Sequence, residues 1–413
     1  MLELARKILQ QSVCLNCLGR QFSQLLSGFT NRERGTFILS AIALGIDSGK
    51  VTIDGLAPEN FLGFRFRHNK DFNSLVEKAE EKECSLCFGF FENIGKFSGR
   101  VATRLKGIDF QTFLVGTQLS ENLLQAEERL WEKTGIDYCE PLRAEINREV
   151  GKQIEKIIGK HADLKKPDIS ILLDLQNNRI KLQTNPFFLF GYYKKLKRGF
   201  PQCKWGTPRK YKTSVEEEIG RPLLKLTNGG DHKFHAAGRE DIDARCLDWR
   251  AFVVEIDRPK LREIDLKKLE KQIKKGKRVL VSGLRHSDME IVRKIKKAAP
   301  DKTYRALVQL DIPVGKKELK NMNKLLGKIE QRTPERVLHR RADLLRSREV
   351  KSLKWKLKGK KSMELVVKGS AGLYIKELIS GDNGRTVPSV SELLGCSAKC
   401  KELDVVKIEK IKL

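Results

Sequence analysis

Three carboxylates, Glu240, Asp241 and Asp243, sit within one short stretch of AAGREDIDARCLDWRAFVVEI, residues 236–256, behind the tight Gly238 and the cation Arg239. Directly after them comes the apolar run Phe252 to Ile256, which alternates poorly and therefore reads as a buried strand. A carboxylate on a turn beside such a strand is held still, which a reactive group requires. The competing reading is a solvated acidic turn, with Arg239 and Arg245 as its surface partners.

A second constellation is built from sulfur. Cys14-Leu-Asn-Cys17 and Cys84-Ser-Leu-Cys87 are two CxxC knuckles, and together they supply the four thiolates that zinc takes in a tetrahedral site. A closed set of this kind leaves no open position, so the ion would be structural. Thioredoxin-like redox chemistry and plain buried cysteines are the alternatives. The other five of the nine cysteines, Cys139, Cys203, Cys246, Cys396 and Cys400, lack such pairing and read as small packing residues. An odd number in a chain with no export signal argues against a disulfide framework.

A third stretch, NPFFLFGYYKKLKRGFPQCKW, interleaves aromatics with Lys194, Lys195, Lys197, Arg198 and Lys204. Aromatic faces stack on unpaired bases while cations meet phosphates, so Lys194, Lys195, Lys197 and Arg198 are candidate RNA contacts. Charge agrees with this. Lys plus Arg number 82 against 53 Asp plus Glu, a formal +29 that favours a polyanionic partner. The longest apolar stretch, Thr36 to Ile46, is far short of the roughly 20 residues of a membrane span, and no signal core opens the chain. A soluble, cytoplasmic protein with no membrane partner is expected.

The elements that must carry these groups suggest an α+β protein. Asn31 caps a helix over Arg32 to Leu44 that Gly45 stops. A strand over 110–117 precedes a helix capped at Ser120, and a second helix from Pro141 to Lys160 buries Ile146, Val150, Ile154 and Ile158. Asn177-Asn178 joins two strands of a hairpin. The polar segment from Gly206 to Glu218 marks the domain boundary, giving domains 1–205 and 206–413. In the second, strands at 278–284 and 303–310 alternate with helices over 266–275, from a Ser287 capping box to Ala299, and from Lys316 to Glu330. RTPERVLHRRADLLRSREV then places five arginines after Thr333, and GLYIKEL forms a strand-to-helix joint carrying Tyr374 and Lys376.

GREDID resembles the Gly-Arg-x-Asp motif that carries the catalytic aspartate of pseudouridine synthases, and GLYIKEL resembles their Gly-Thr-Tyr-Ile-Arg/Lys motif. CLNC and CSLC, PDISILLDL, GYYKKLKRGFPQ, GREDIDAR and YIKELISGDNGRTVPSVSELLG occur in the order seen in one branch, the archaeal and eukaryotic tRNA pseudouridine synthases acting on T-loop positions 54 and 55. The resemblance covers essentially the whole chain. It implies an N-terminal zinc-bearing domain with a THUMP-like RNA-binding module, then a catalytic domain on a mixed, mainly antiparallel sheet. It also implies Asp241 as nucleophile, Tyr304 as the tyrosine packed against the target uracil, and Lys376 as the basic residue whose positive charge pairs with the nucleophile and keeps it ionised. Tyr374 would line the same pocket. Asp243, two residues on, would face away from Asp241 if the segment is extended. The branch's Leu-Gly-x-Gly-Arg-Pro-Phe is replaced here by Leu247-Asp-Trp-Arg-Ala-Phe252, which alters the local loop.

Isomerising uridine breaks the N-glycosidic bond, turns the ring and rejoins it through carbon five, so a single carboxylate suffices and no organic cofactor is expected. The partner would be the T-arm of tRNA, with the enzyme acting as a monomer. The rival class is a non-catalytic zinc-containing protein that binds structured RNA. A THUMP-borne methyltransferase or thiouridine synthase would need a glycine-rich cofactor loop or phosphate cradle, and Ser282-Gly-Leu and Asn228-Gly-Gly are too sparse to supply one.

Overall fold

Apolar residues collect into separate cores, and the chain divides with them. A computed structural model describes residues 1–205 and 210–411, in two units, Met1–Asn185 and Pro186–Leu413. The expected boundary segment begins at Gly206, which lies with 207–209 outside the described residues. The units part earlier because Phe187–Lys195 is a strand of the second unit's sheet, so it cannot belong to the first.

In the first unit, strand β1 (Thr112–Gln118) pairs in parallel with β2 (His161–Ala162) and with β3 (Ile169–Asp174), and β3 forms the expected hairpin with β4 (Arg179–Thr184). The helix Glu121–Thr134 is capped by Ser120, and Leu142–Ile158 buries Ile146, Val150 and Ile154. The early helix is Asn31–Asp47, and two details of it differ from expectation. Thr30 rather than Asn31 accepts from the Glu33 N–H and completes a capping box. Gly45 does not end the helix but lies inside it against the Val51 side chain, where a β-carbon would sit 2.5 Å from a methyl.

The second unit is organised by one large sheet. Its strands are β5 (Phe187–Lys195), β6 (Asp231–Ala236), β7 (Ala244–Asp257), β8 (Val279–Ser287), β9 (Lys302–Leu310), β10 (Gly327–Arg332), β11 (Leu345–Gly359), β12 (Ser362–Gly369), β13 (Thr386–Val387) and β14 (Ala398–Ile408). The order is β13-β10-β11-β12-β9-β14-β7-β5-β8, with β6 also on β7. Every pairing is antiparallel except β14 with β7, where Leu403, Asp404 and Val405 run parallel to Ala244, Arg245 and Cys246. Phe252 to Ile256 of β7 are all buried, Glu255 included through its ion pairs with Lys233 and His235, which accounts for their lack of alternation.

Two further expectations are corrected here. Asp288, not Ser287, caps Met289–Lys297, because Ser287 still pairs with Phe188 in the sheet. The stretch expected as one helix from Lys316 to Glu330 is a short helix, Lys316–Asn321, a 3-10 turn, and then β10. Gly327 at φ +101° breaks it, and Ile329 and Gln331 then alternate into the core at strand spacing. Among the described residues no helix is long and apolar enough to cross a membrane.

Candidate active site

The acidic stretch is a loop between two strands that pair with each other, β6 and β7, and four buried groups brace it. Glu240 is buried, accepts from the Tyr193 hydroxyl at 3.0 Å, and stands 3.3 Å from the fully buried Arg250 guanidinium. Arg250 also donates to the Ala237 carbonyl at 2.9 Å, and Gln202 donates to the Tyr193 oxygen and to the Gly238 carbonyl. Lys195 donates to the carbonyls of both Asp241 and Ile242, at 3.1 and 3.0 Å. The middle carboxylate of the three is therefore left to face outward while its neighbour Glu240 anchors the turn. Gly238 is at φ +82°, and a β-carbon there would also press on Arg250 and Lys302.

Asp241 faces two cations. Arg336 lies 3.1 Å from its Oδ2 and Lys376 lies 3.4 Å from the same oxygen. Lys376 is nearer to Asp243, at 2.7 Å to each carboxylate oxygen. The expectation that Asp243 faces away from Asp241 is corrected, because the segment is not extended. The Ala244 N–H closes a turn onto the Asp241 carbonyl, and both carboxylates reach Lys376. Burial opposes the Lys376 ammonium, but its hydrogen bond to Asp243 and the two carboxylate charges outweigh that and raise its pKa above the usual lysine value. Burial likewise opposes the Asp243 carboxylate, and Lys376 reverses the balance and lowers its pKa. Arg336 is fixed from its other side by the buried Glu377, at 2.7 Å.

These groups line one cavity of about 350 Å³, walled by Asp241, Tyr304, Tyr374 and Lys376, and also by Lys302, Arg336 and Arg341. That volume is at the small end of the roughly 300–1,000 Å³ typical of ligand pockets. Tyr304 comes from β9 and Ala244 begins β7, with β14 running between the two strands. Burial, reinforced by the charges of Asp241 and Glu240, pushes the Tyr304 phenol up to about 12, so it keeps its proton at neutral pH. The Tyr374 hydroxyl accepts from Arg341 at 2.7 Å. An adjoining hollow of about 220 Å³ shares Asp241, Arg336 and Lys376 and adds Trp205, Asp243 and His339.

The structure thus brings Asp241, Tyr304, Lys376 and Tyr374 together. It separates the four candidate RNA contacts of the aromatic stretch. Lys195 is buried beneath the loop, and Arg198 is engaged by Asp404 and Glu402 at 2.7 and 2.9 Å, so neither is a free surface cation. Lys194 lies 4.6 Å over the Trp249 ring, and Lys197 is exposed. Sequence reasoning missed Arg336 and Lys302. The arginine run after Thr333 was the available signal for the first, and the position two residues before Tyr304 on one strand face for the second.

The cysteine knuckles also meet. Cys14 caps the helix Leu15–Arg20, which carries Cys17, and the turn with Cys84 and Cys87 is tied to the same segment by Ser85 bonds to the Ser12 carbonyl. The four sulfurs lie within 4.8 Å of one another, with Cys14 and Cys87 3.7 Å apart. A tetrahedron with bonds of about 2.3 Å has edges of about 3.8 Å, so this donor set fits a closed tetra-thiolate metal site.

Residues 188–409 match the family model described as Pus10, C-terminal, and residues 97–174 match the Pus10 THUMP domain, archaeal. A protein of Methanothrix thermoacetophila named tRNA pseudouridine synthase Pus10 is 38% identical over 96% of this chain and 91% of its own length. Its namesake in Pyrococcus furiosus is 38% identical over 98% and 97%. A solved Cbf5-Nop10-Gar1 complex aligns over 52% of this chain and 48% of its own, at 19% identity and a TM-score of 0.32. The protein is an α+β enzyme of the isomerase class, with a THUMP domain in its first unit. It belongs to the Pus10 family of pseudouridine synthases.

Proposed function

We propose that the second unit converts uridine to pseudouridine in the T-loop of tRNA, at position 55 with 54 as the second target, using Asp241 as nucleophile. The observation that carries this reading is the single cavity in which Asp241 stands against Lys376 and Arg336 with Tyr304 on the wall. The names of the relatives supply tRNA as the substrate. A target base must leave its stack to enter such a pocket, and an aromatic wall offsets part of that unstacking. Asp241 then forms a covalent bond to the nucleoside, at the sugar or at the ring, while the two cations hold its carboxylate in place. Tyr304 packs against the uracil and takes part in proton transfer through its hydroxyl. Of the four candidate RNA contacts, Lys194 and Lys197 are left to meet phosphates. In the first unit the four cysteines hold a structural zinc ion.

Pseudouridine mapping on an unmodified tRNA transcript, incubated with the protein and with Asp241→Asn, tests the reading. Product at T-loop positions with the unaltered chain, none with the variant, and equal tRNA binding by both are expected. A variant that still makes pseudouridine would remove Asp241 from the role.

A further inference from the structure

Lys302 opens β9 and is buried, with 7% of its surface exposed, yet it lines the active cavity beside Tyr304. The two residues are two apart on one strand, so their side chains share a face. Among the described residues the Lys302 ammonium has no hydrogen-bond or ion-pair partner, unlike Lys376 and Arg336, which are both engaged. It is held against the turn at Gly238, where a β-carbon would lie 3.1 Å from Nζ. A buried cation without a partner is unfavourable unless something else supplies an acceptor. Here the space in front of it is the cavity that receives the target base.

We propose that Lys302 is a further catalytic residue, donating a hydrogen bond to a carbonyl oxygen of the target uracil and stabilising the negative charge that the ring carries during rearrangement. The inference rests on the pseudouridine synthase reading. When the C1′–N1 bond breaks, its electron pair goes to N1 and spreads to the ring oxygens. If a carboxylate instead adds to the ring first, an enolate oxygen carries the charge. When the ring rejoins through C5, the C5 proton leaves, N1 takes one up, and the charge is gone. On either course the ring is most negative between its two attached states, and a fixed cation in a site shielded from water acts most strongly at that moment. Lys302 supplies that charge without giving up its proton.

The surroundings bear on its titration. Burial first, and then the Arg250 guanidinium, lower the Lys302 pKa to about 8, against the opposing pull of Cys246, Glu240 and Asp301. The free ammonium is therefore lost as pH rises through about 8, well below the usual lysine range.

The test is single-turnover pseudouridine formation on an unmodified tRNA transcript, with Lys302→Met and Lys302→Arg. Lys302→Met should slow the step about a hundred-fold while leaving tRNA affinity within about two-fold. Lys302→Arg should retain much of the rate and lose any decline between pH 8 and pH 9, because a guanidinium stays charged there. If Lys302→Met fails to fold, the Arg variant decides. A pH decline identical to that of the unaltered chain would overturn the role, as would a folded Met variant with an unchanged rate. Absence of product from the unaltered chain would overturn the parent reading and this one together, whereas product from it with indifferent Lys302 variants would overturn this one alone.

Discussion

Asp241 is positioned by its backbone as much as by its ion pairs. Lys195 holds its carbonyl, the next peptide carbonyl is held by the same ammonium, and Glu240 is clamped by Tyr193 and Arg250 on the inner side. The Arg250–Glu240 pair is fully desolvated, so removing one member strands the other. Arg250→Met should destabilise the second unit by about 3–5 kcal/mol, read from denaturant midpoints at neutral pH; a loss below about 1 kcal/mol would mean that Tyr193 alone satisfies Glu240. Tyr304→Phe keeps the aromatic wall and deletes the hydroxyl. It should bind tRNA normally and turn over at least about ten-fold more slowly, and unchanged single-turnover rates would exclude proton transfer through that oxygen. At this scale the motifs in the sequence pointed to Asp241, Tyr304 and Lys376. They did not single out Arg336, which stands in the arginine run after Thr333, 95 positions from its partner Asp241.

At the scale of elements, local pattern succeeded where one face is buried and failed where backbone contact decides. Leu142–Ile158 has a clean apolar stripe, and its limits fall within a turn of those expected. Asp243 was expected to face away from Asp241 if the segment is extended, but a single N–H to carbonyl bond closes a turn there and turns Asp243 toward Lys376. Composition carries no sign of such a bond. Close helix approach is equally silent in hydropathy. A β-carbon on Gly35 would lie 2.0 Å from the Leu15 carbonyl oxygen, and one on Gly19 would lie 1.8 Å from that of Asn31. Helix Asn31–Asp47 thus packs backbone to backbone on the helix that carries Cys17. Gly35→Ala should therefore push the two apart, lower the thermal midpoint by several degrees and weaken metal retention in a chelator challenge. Metal held as tightly as in the unaltered protein would show that the sulfur cluster tolerates the shift.

For the whole molecule, charge and metal give the broadest tests. A formal +29 is an excess that only a polyanion offsets well, and tRNA affinity should fall about a thousand-fold between roughly 50 and 200 mM salt. A flat response would deny a phosphate-led interface. Elemental analysis should find about one zinc per chain, and stripping it should lower the melting temperature of the first unit; a metal-free protein with an unchanged melt would refute a structural ion. The polar segment from Gly206 to Glu218 was read as the domain boundary, whereas the units part after Asn185, because the partners of the aromatic strand Phe187–Lys195 lie in the second unit's sheet. Phe187, Phe190 and Tyr193 are buried in the second unit, and one of the cations beside them, Lys195, serves the acidic loop rather than the solvent.

Strand β14 lies between β9 and β7, pairing with both. Tyr304 and Lys302 are carried on one side of it, and the Asp241 loop leads into the other. During synthesis those two halves leave the ribosome well before the strand that joins them. A polypeptide halted at residue 397 would possess every reactive group named above and still have no assembled pocket, so premature fragments of this enzyme should be inert toward RNA chemistry.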